Sequence, residues 1–251
     1  MSFAVAADAY DKFMGRYSVP LAPLFADFAG VSSGQNVIDV GCGPGALTAE
    51  LVERVGSSAV TGVDPSESFI VALEERHPDV TARRASAEEL PFPDDAFDAA
   101  LAQLVVHFMA DPVAGLQEMA RVTREGGVVA ASVWDHGGGQ GPLSVYWQAA
   151  RELDPDIQDE SQLAGANEGD LIQLFRAAGL HEVEEVALTV RVEHPTFDDW
   201  WQPYTLGVGP AGAYIATLDD ERRERLRARC EELLQAPYVL SARAWAARAR
   251  S

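Results

Sequence analysis

Between residues 36 and 134 the sequence alternates short apolar runs with stretches of helical periodicity. The apolar runs predict five strands, over residues 36–40, 59–64, 80–84, 97–106 and 128–134. Helices are predicted after Pro44, Ser66 and Asp111, where apolar side chains recur every three or four residues. This alternation is typical of an α/β protein, in which helices cover both faces of a mainly parallel sheet.

The composition restricts the partners of such a fold. The chain has 251 residues, with 39 acidic and 19 basic side chains, and its net charge is −20. Phosphate backbones and anionic lipids repel this charge, so we expect neither a nucleic acid nor a membrane as partner.

Residues 1–8 lack the basic region of a signal peptide, and two cysteines, Cys42 and Cys230, are too few for a disulfide scaffold. We therefore expect a cytoplasmic protein, and the sequence indicates no oligomeric state.

A glycine-rich loop follows the first predicted strand, with glycine at every second position from Gly41 to Gly45. Glycine lets the backbone approach a ligand closely, and the helix that follows offers free N–H groups. With Asp64 downstream, Gly41-x-Gly43-x-x-Ala46 also fits a dinucleotide fingerprint. A carboxylate at Asp39 would repel the pyrophosphate of a dinucleotide and attract the cationic groups of S-adenosylmethionine. The loop therefore favours the methyl donor.

Residues 37–45 resemble the first motif of class I S-adenosylmethionine-dependent methyltransferases, in particular the small-molecule branch called methyltransferase type 11, which is similar to the ubiquinone-biosynthesis enzymes. Residues 60–66, 88–98, 103–108 and 125–128 resemble further motifs of this family. The resemblance implies a Rossmann-like seven-stranded sheet with the last strand antiparallel, helices on both faces and a partial cap from insertions. It also implies S-adenosyl-L-methionine as cofactor. The residues expected to contact the cofactor are Arg16, Asp39, Gly41, Cys42, Gly43, Gly45, Asp64, Pro65, Ser66, Ser86, Ala87, Glu88 and Gln103.

Two of these positions need comment. Many relatives carry an acid before the Ala87-Glu88 pair that binds the adenine amino group, and Ser86 stands there in this chain. Its hydroxyl accepts more weakly than a carboxylate, so either cofactor affinity is lower or Glu88 substitutes. Ahead of the sheet, Tyr10 to Tyr17 resemble a helix that folds over the cofactor. Arg16 is expected there to pair with the cofactor's carboxylate, or else with an acid of the protein surface.

The family resemblance also predicts how the chain is divided. We expect one methyltransferase domain over residues 1–251, with lead-in helices over 1–33, a cofactor-binding core over 34–134 and cap insertions over 135–168 and 197–236. Residues 186–192 alternate with period two, which indicates an antiparallel or edge strand, and residues 238–247 predict a last strand. Several aromatic side chains of the insertions are expected either to fill the core or to form an apolar lid over the site: Tyr146, Trp147, Trp200, Trp201 and Tyr204.

The reaction implied is methyl transfer to a small, partly apolar molecule, which depends mainly on alignment and exclusion of water. No catalytic base is assigned; His107, Tyr146 and His136 are the candidates. No metal site is expected, because the histidines are too scattered in the sequence. Three alternatives stay open: a nucleic-acid methyltransferase, an NAD-binding oxidoreductase, and a methyltransferase-like binding protein with little or no activity.

Overall fold

A computed structural model describes residues 7–251. The first described residues form a helical segment, in which α1 (Ala7–Tyr10) continues through a π-helical turn (Asp11–Gly15) into α2 (Arg16–Ala29). The helices of the described chain are α1 (Ala7–Tyr10), α2 (Arg16–Ala29), α3 (Ala46–Val55), α4 (Glu67–Arg76), α5 (Pro112–Val122), α6 (Ser144–Leu153), α7 (Asp170–Ala177), α8 (Phe197–Trp201), α9 (Gly209–Thr217) and α10 (Asp220–Leu233). The strands are β1 (Val37–Val40), β2 (Val60–Asp64), β3 (Thr81–Arg84), β4 (Phe97–Gln103), β5 (Thr123–Trp134), β6 (His181–Glu193) and β7 (Val239–Arg250).

The seven strands form one sheet in the order β3-β2-β1-β4-β5-β7-β6. Strands β1 to β5 run parallel, whereas β7 pairs antiparallel with both β5 and β6. The predicted fold class is confirmed, including the antiparallel last strand and the edge position of the period-two strand. Because the connections reverse direction between β1 and β4, the carboxyl ends of these strands leave a crevice, which is where open α/β sheets bind ligands.

Helices cover both faces of the sheet because its central strands are apolar on both sides. On one face, α2 and α3 bury Phe25 and Leu51 against Val37 and Ala130. On the other, α5 and α7 bury Leu116, Met119, Leu171 and Phe175 against neighbouring residues of β4 and β5. Burial on both sides explains why these strands read as continuous apolar runs.

Strand β6 begins at His181 rather than at residue 186, β7 ends at Arg250 rather than at residue 247, and two boundaries in the parallel part of the sheet differ from the prediction by three residues or more. Strand β4 ends at Gln103 rather than at residue 106, because Leu104 takes a left-handed conformation (φ 64°) and a 3-10 turn over Val106–Phe108 follows. Strand β5 begins at Thr123 rather than at residue 128, with an irregular register opposite Phe97 and a left-handed Gly126 (φ 73°). Apolar content alone identified neither change in backbone direction.

The two predicted insertions contain helices that pack on one another. Helices α6, α8, α9 and α10 surround an apolar cluster. This cluster also contains residues of α2 and of the first half of β7. Rings within the cluster stack or meet edge to face, as Tyr146 does on Tyr204 with centroids 4.6 Å apart. The aromatic residues of the insertions therefore form a second core of their own.

One buried acid lies in this second core. Glu160 is 4% exposed and accepts a hydrogen bond from the indole N–H of Trp147 at 2.8 Å. Burial raises the pKa of this carboxyl from 4.5 to about 7, and the Trp147 bond opposes the shift. The folded chain thus holds the Glu160 proton more tightly than the unfolded chain does.

Among residues 7–251, no helix is both long and apolar enough to cross a bilayer.

The raised pKa of Glu160 predicts a pH-dependent loss of stability. As pH rises from about 4.5 to 7, the unfolded chain loses this proton before the folded chain does, so the free energy of unfolding falls. Glu160→Gln removes the ionisable group and keeps an acceptor for Trp147. We expect this variant to exceed wild type in the free energy of unfolding by about 2–3 kcal/mol near pH 8 and by much less near pH 5.

Urea unfolding at the two pH values measures this difference, with Glu75→Gln on the exposed surface of α4 as the matched control. A Glu160→Gln effect that is the same at both pH values would contradict the assignment.

Candidate functional site

A cavity of about 930 Å³ opens at the carboxyl ends of β1, β2 and β4, in the predicted crevice. Its described lining runs from Tyr10 to Ala110, so the part of the sequence predicted to bind the cofactor and the first helix form it. Its volume is at the upper end of the roughly 300–1,000 Å³ that small-molecule sites occupy. Nine residues predicted to contact the cofactor line this cavity: Gly41, Gly43, Asp64, Pro65, Ser66, Ser86, Ala87, Glu88 and Gln103.

The glycine loop brings backbone to the edge of the cavity. The N–H groups of Gly41 and Cys42 both donate to the Val63 carbonyl, at 2.7 and 2.9 Å, which fixes the loop against β2. A Cβ at Gly41 would stand 2.5 Å from both methyl groups of Val105, so only glycine permits this approach to the end of β4. Gly43 is left-handed (φ 52°), and an added Cβ there would meet nothing within 4 Å. The loop therefore leaves a backbone-lined recess that a side chain would fill.

Asp64 ends β2 and points its carboxylate at this recess. One oxygen, Oδ2, accepts the Gly43 N–H at 3.0 Å, and the other, Oδ1, accepts the Ser66 N–H at 2.8 Å. Burial raises the pKa of this carboxyl, and the two backbone donors oppose the rise. Each oxygen keeps a second lone pair, so the carboxylate can accept from two further hydroxyl groups.

Glu88 lines the cavity but already has partners. Its Oε1 accepts from the Ala110 and Asp111 N–H groups, at 2.8 and 3.3 Å. The side chain therefore fastens the segment after β4 to the segment after β3. Ser86 and Ala87 line the cavity beside it, with Ala87 buried and Ser86 half-buried.

Asp39 in β1 and Cys42 and Gly45 in the loop do not line the cavity, so their contact with the cofactor stays a prediction. The buried Asp39 carboxyl accepts the Thr48 hydroxyl at 2.6 Å, and burial raises its pKa to about 7. Cys42 is buried beside Gly62, and burial raises the pKa of its thiol. A Cβ at Gly45 would stand 2.8 Å from the Leu73 side chain. These residues shape the loop by packing behind it.

Arg16 is also placed elsewhere. Its Nη1 lies 2.9 Å from Asp199 Oδ2 and 2.8 Å from His194 Nδ1, and it donates to the Asp199 carbonyl at 3.1 Å. Tyr17 Oη reaches the other nitrogen of His194 at 3.0 Å. In this structure Arg16 takes part in a network that fastens α2 to α8, which is the second possibility that the sequence offered.

The three candidate bases separate clearly. His107 lines the cavity, is 8% exposed, and its Nδ1 has no hydrogen-bond partner within the described chain. Burial is the main cause that lowers the pKa of His107 well below its usual value, and the nearby His136 is the second cause. His136 does not line the cavity; its ring centroid is 5.8 Å from that of His107, and burial lowers its pKa to about 4. Tyr146 is fully buried in the second core and donates to the Ala211 carbonyl at 2.8 Å.

Several cavity residues were not predicted from the sequence. Phe69 meets Tyr10 edge to face at 5.5 Å across the cavity wall, and Arg84, the last residue of β3, lies at the rim. Met109 also lines the cavity, next to Leu104 and Val105 of the motif at residues 103–108. The sequence signal for Arg84 as a cavity residue is its position at the carboxyl end of a predicted strand. Phe69 gives no such signal, because it occupies an apolar helix position like those of core residues.

The expected apolar lid is not found in the described part of the chain. Tyr146, Trp147, Trp200, Trp201 and Tyr204 are all buried in the second core, and none lines the cavity. Their alternative role as core residues is the one that the structure supports. Across residues 7–251, no group of three or more His, Cys, Asp or Glu side chains is arranged to hold a metal ion.

The strand order, the antiparallel β7 and the glycine loop after β1 together define a class I methyltransferase fold. A solved structure, the YcgJ protein of Bacillus subtilis, superposes with a TM-score of 0.59 at 18% identity, and the match covers 92% of this chain and 97% of that one. At this identity the likeness shows the fold alone.

Sequence comparison finds matches over part of the chain. Residues 38–131 match a family profile described as a methyltransferase domain. The ubiquinone/menaquinone biosynthesis C-methyltransferase UbiE of Bdellovibrio bacteriovorus is 33% identical over 135 residues, which are 51% of this chain and 57% of the relative. The malonyl-[acyl-carrier protein] O-methyltransferase of Erwinia billingiae is 32% identical over 147 residues, 59% of this chain and 57% of the relative. The chain thus spans little more than half the length of these relatives.

The position of Arg16 predicts that it supports the fold and not the cofactor. Arg16→Ala removes the contacts with Asp199 and His194, so we expect the free energy of unfolding to fall by about 1 kcal/mol. The affinity for S-adenosylhomocysteine, measured by calorimetric titration, is expected to stay within about threefold of wild type, which is under 1 kcal/mol. A loss of affinity of tenfold or more in a folded variant would contradict this prediction and show that Arg16 contributes to ligand binding.

Proposed function

We propose that this protein transfers a methyl group from S-adenosyl-L-methionine to a small, partly apolar molecule. The observation that carries the proposal is the Asp64 carboxylate, held by Gly43 and Ser66 at the edge of a large cavity in a methyltransferase domain. The relatives named above are methyltransferases by name, one acting on carbon and one on oxygen. They support the class of reaction and leave the methylated atom open.

The residues present suit this cofactor. Asp64 has lone pairs left for two ribose hydroxyls, and its charge attracts the cationic methionine portion. The recess at Gly41 and Gly43 admits a ligand against the backbone. Ser86 and Ala87 are placed to border the adenine, and Tyr10 and Phe69 supply aromatic surface. When bound, the cofactor would supply a methyl group on a sulfonium, and a neutral thioether would leave as a nucleophile takes that methyl group.

The protein's own contribution is to position and to exclude water. Asp64 is fixed by two backbone donors, so it is oriented before a ligand arrives. Gln103 donates from Nε2 to the Ser18 carbonyl, which joins the end of β4 to α2 beside the cavity. Such preorganised contacts lower the entropy cost of aligning two reactants.

The electrostatics disfavour a dinucleotide or a nucleic acid. The described lining contains the carboxylates of Asp64, Glu67 and Glu88, while its arginine, Arg84, is 3.1 Å from Glu67. A pyrophosphate in this cavity would face carboxylates. Phosphate groups of a nucleic acid would meet the same obstacle and the net charge of −20. We therefore rank NAD-dependent and nucleic-acid-directed activities below methyl transfer to a small molecule.

We also propose that the protein works in the cytoplasm and that residues 1–251 act as one domain. Its two cysteines are unpaired and buried, which suits a reducing compartment. The second core packs directly on α2 and β7 of the sheet, which supports a single unit.

Asp64→Ala tests the proposed site. The substitution removes a charged acceptor of two ribose hydrogen bonds, so we expect affinity for S-adenosylhomocysteine to fall by about 2–4 kcal/mol, or roughly 30- to 1,000-fold. Calorimetric titration measures it, with Glu75→Ala on the surface of α4 as the control that keeps wild-type affinity. Titration of the wild-type protein with NAD in parallel is expected to give no binding. Unchanged affinity in Asp64→Ala, or NAD binding without S-adenosylhomocysteine binding, would overturn the proposal.

A further inference from the structure

One wall of the cavity is formed by the chain that follows β4. Leu104 turns this chain through its left-handed conformation, and Val105, Phe108, Met109 and Ala110 then line the cavity. Their side chains are apolar, and Phe108 is 37% exposed at the rim. This wall of the cavity suits an apolar ligand.

His107 is the polar group among these apolar residues. It is 8% exposed, and its ring lies 3.9 Å from that of Phe108 between centroids. Its Nδ1 is buried without a hydrogen-bond partner in the part of the chain that the structure describes. Leaving such an atom unpaired is costly; because the His107 ring lines the cavity, a ligand hydroxyl that reaches this nitrogen would remove the cost.

The charges around His107 select against ionic ligands. Burial lowers the pKa of its imidazole, so the ring is neutral at physiological pH and one ring nitrogen can accept a hydrogen bond. An anionic ligand finds no unpaired cation in the described lining, because Arg84 is bonded to Glu67 and to the Pro65 carbonyl. A cationic ligand would lose its hydration among these apolar side chains, and the Glu88 carboxylate on this wall already accepts from the Ala110 and Asp111 N–H groups.

From this geometry we propose that the acceptor is an uncharged, largely apolar molecule bearing a hydroxyl group, and that His107 is the catalytic residue that takes the hydroxyl proton. The proposal rests on the proposed function. The acceptor oxygen forms the bond to the methyl carbon, the carbon–sulfur bond breaks with its electron pair left on sulfur, and the hydroxyl proton passes to the imidazole. Water entering at the rim then removes that proton and restores neutral His107.

Four naphthalene probes of similar size test the binding preference. They are 1-naphthol, 1-methoxynaphthalene, 1-naphthoate and 1-naphthylmethylammonium, each titrated by fluorescence into protein saturated with S-adenosylhomocysteine. We expect 1-naphthol to bind about tenfold more tightly than the ether, which lacks the donor, and more tightly than either ion. Tightest binding by the carboxylate or the ammonium, or no binding by any of the four, would overturn the proposal.

Three variants assign the preference to His107. His107→Phe keeps an aromatic ring and removes the acceptor, so the preference for 1-naphthol over the ether is expected to vanish while S-adenosylhomocysteine binding persists. His136→Phe changes the neighbouring ring that does not line the cavity and is expected to keep the preference. His107→Asn keeps an acceptor that takes up no proton, so it is expected to retain the preference and to lose methyl transfer to 1-naphthol. A preference that survives in folded His107→Phe would overturn the assignment.

Failure of the two proposals is distinguishable. If S-adenosylhomocysteine does not bind the wild-type protein, the proposed function fails. The four probes titrated into the protein without it then still decide whether His107 selects a hydroxyl.

Discussion

The Asp64 carboxylate accepts backbone hydrogen bonds from two separate segments, from Gly43 in the loop after β1 and from Ser66 at the start of α4. Bonds from backbone N–H groups to a charged acceptor contribute roughly 1.5–3 kcal/mol each, and both are partly shielded from water here. They fix the conformation of the glycine loop relative to the end of β2. The cavity has its shape because these two segments are held at a set distance, with the acceptor oxygens facing inward.

The rest of the site depends on that fixed loop. Gly41 approaches the Val105 side chain so closely that the loop and the end of β4 must move together. Behind the loop, the bond from Thr48 to Asp39 fastens the first turns of α3 to β1. Glu88 completes the frame by holding the segment after β4 at Ala110. His107 is thereby placed on a chain that is anchored at both ends, which is the condition for a group that must meet a reacting atom.

Local sequence patterns predicted the parts of this arrangement that local physics determines. The strands of the parallel sheet are apolar on both faces, and the glycine loop with Asp64 follows from backbone requirements that few residues meet. Contacts between distant segments were not predictable in this way. Arg16 meets Asp199 across 183 positions of sequence, and several arginines and acids would have served as its partner equally well. The sequence did not decide whether Tyr146 and the tryptophans of the insertions form a lid or fill the core, because an amphipathic aromatic segment can do either. The left-handed Leu104 that redirects the chain toward His107 has no signal in its side chain.

The structure of the complex with S-adenosylhomocysteine tests the central claim most directly. The account predicts that both ribose hydroxyls lie within about 3.2 Å of the Asp64 carboxylate oxygens, with the amino acid portion against Gly41 and Gly43. Density for the ligand away from this cavity, or a ribose that makes no contact with Asp64, would contradict it.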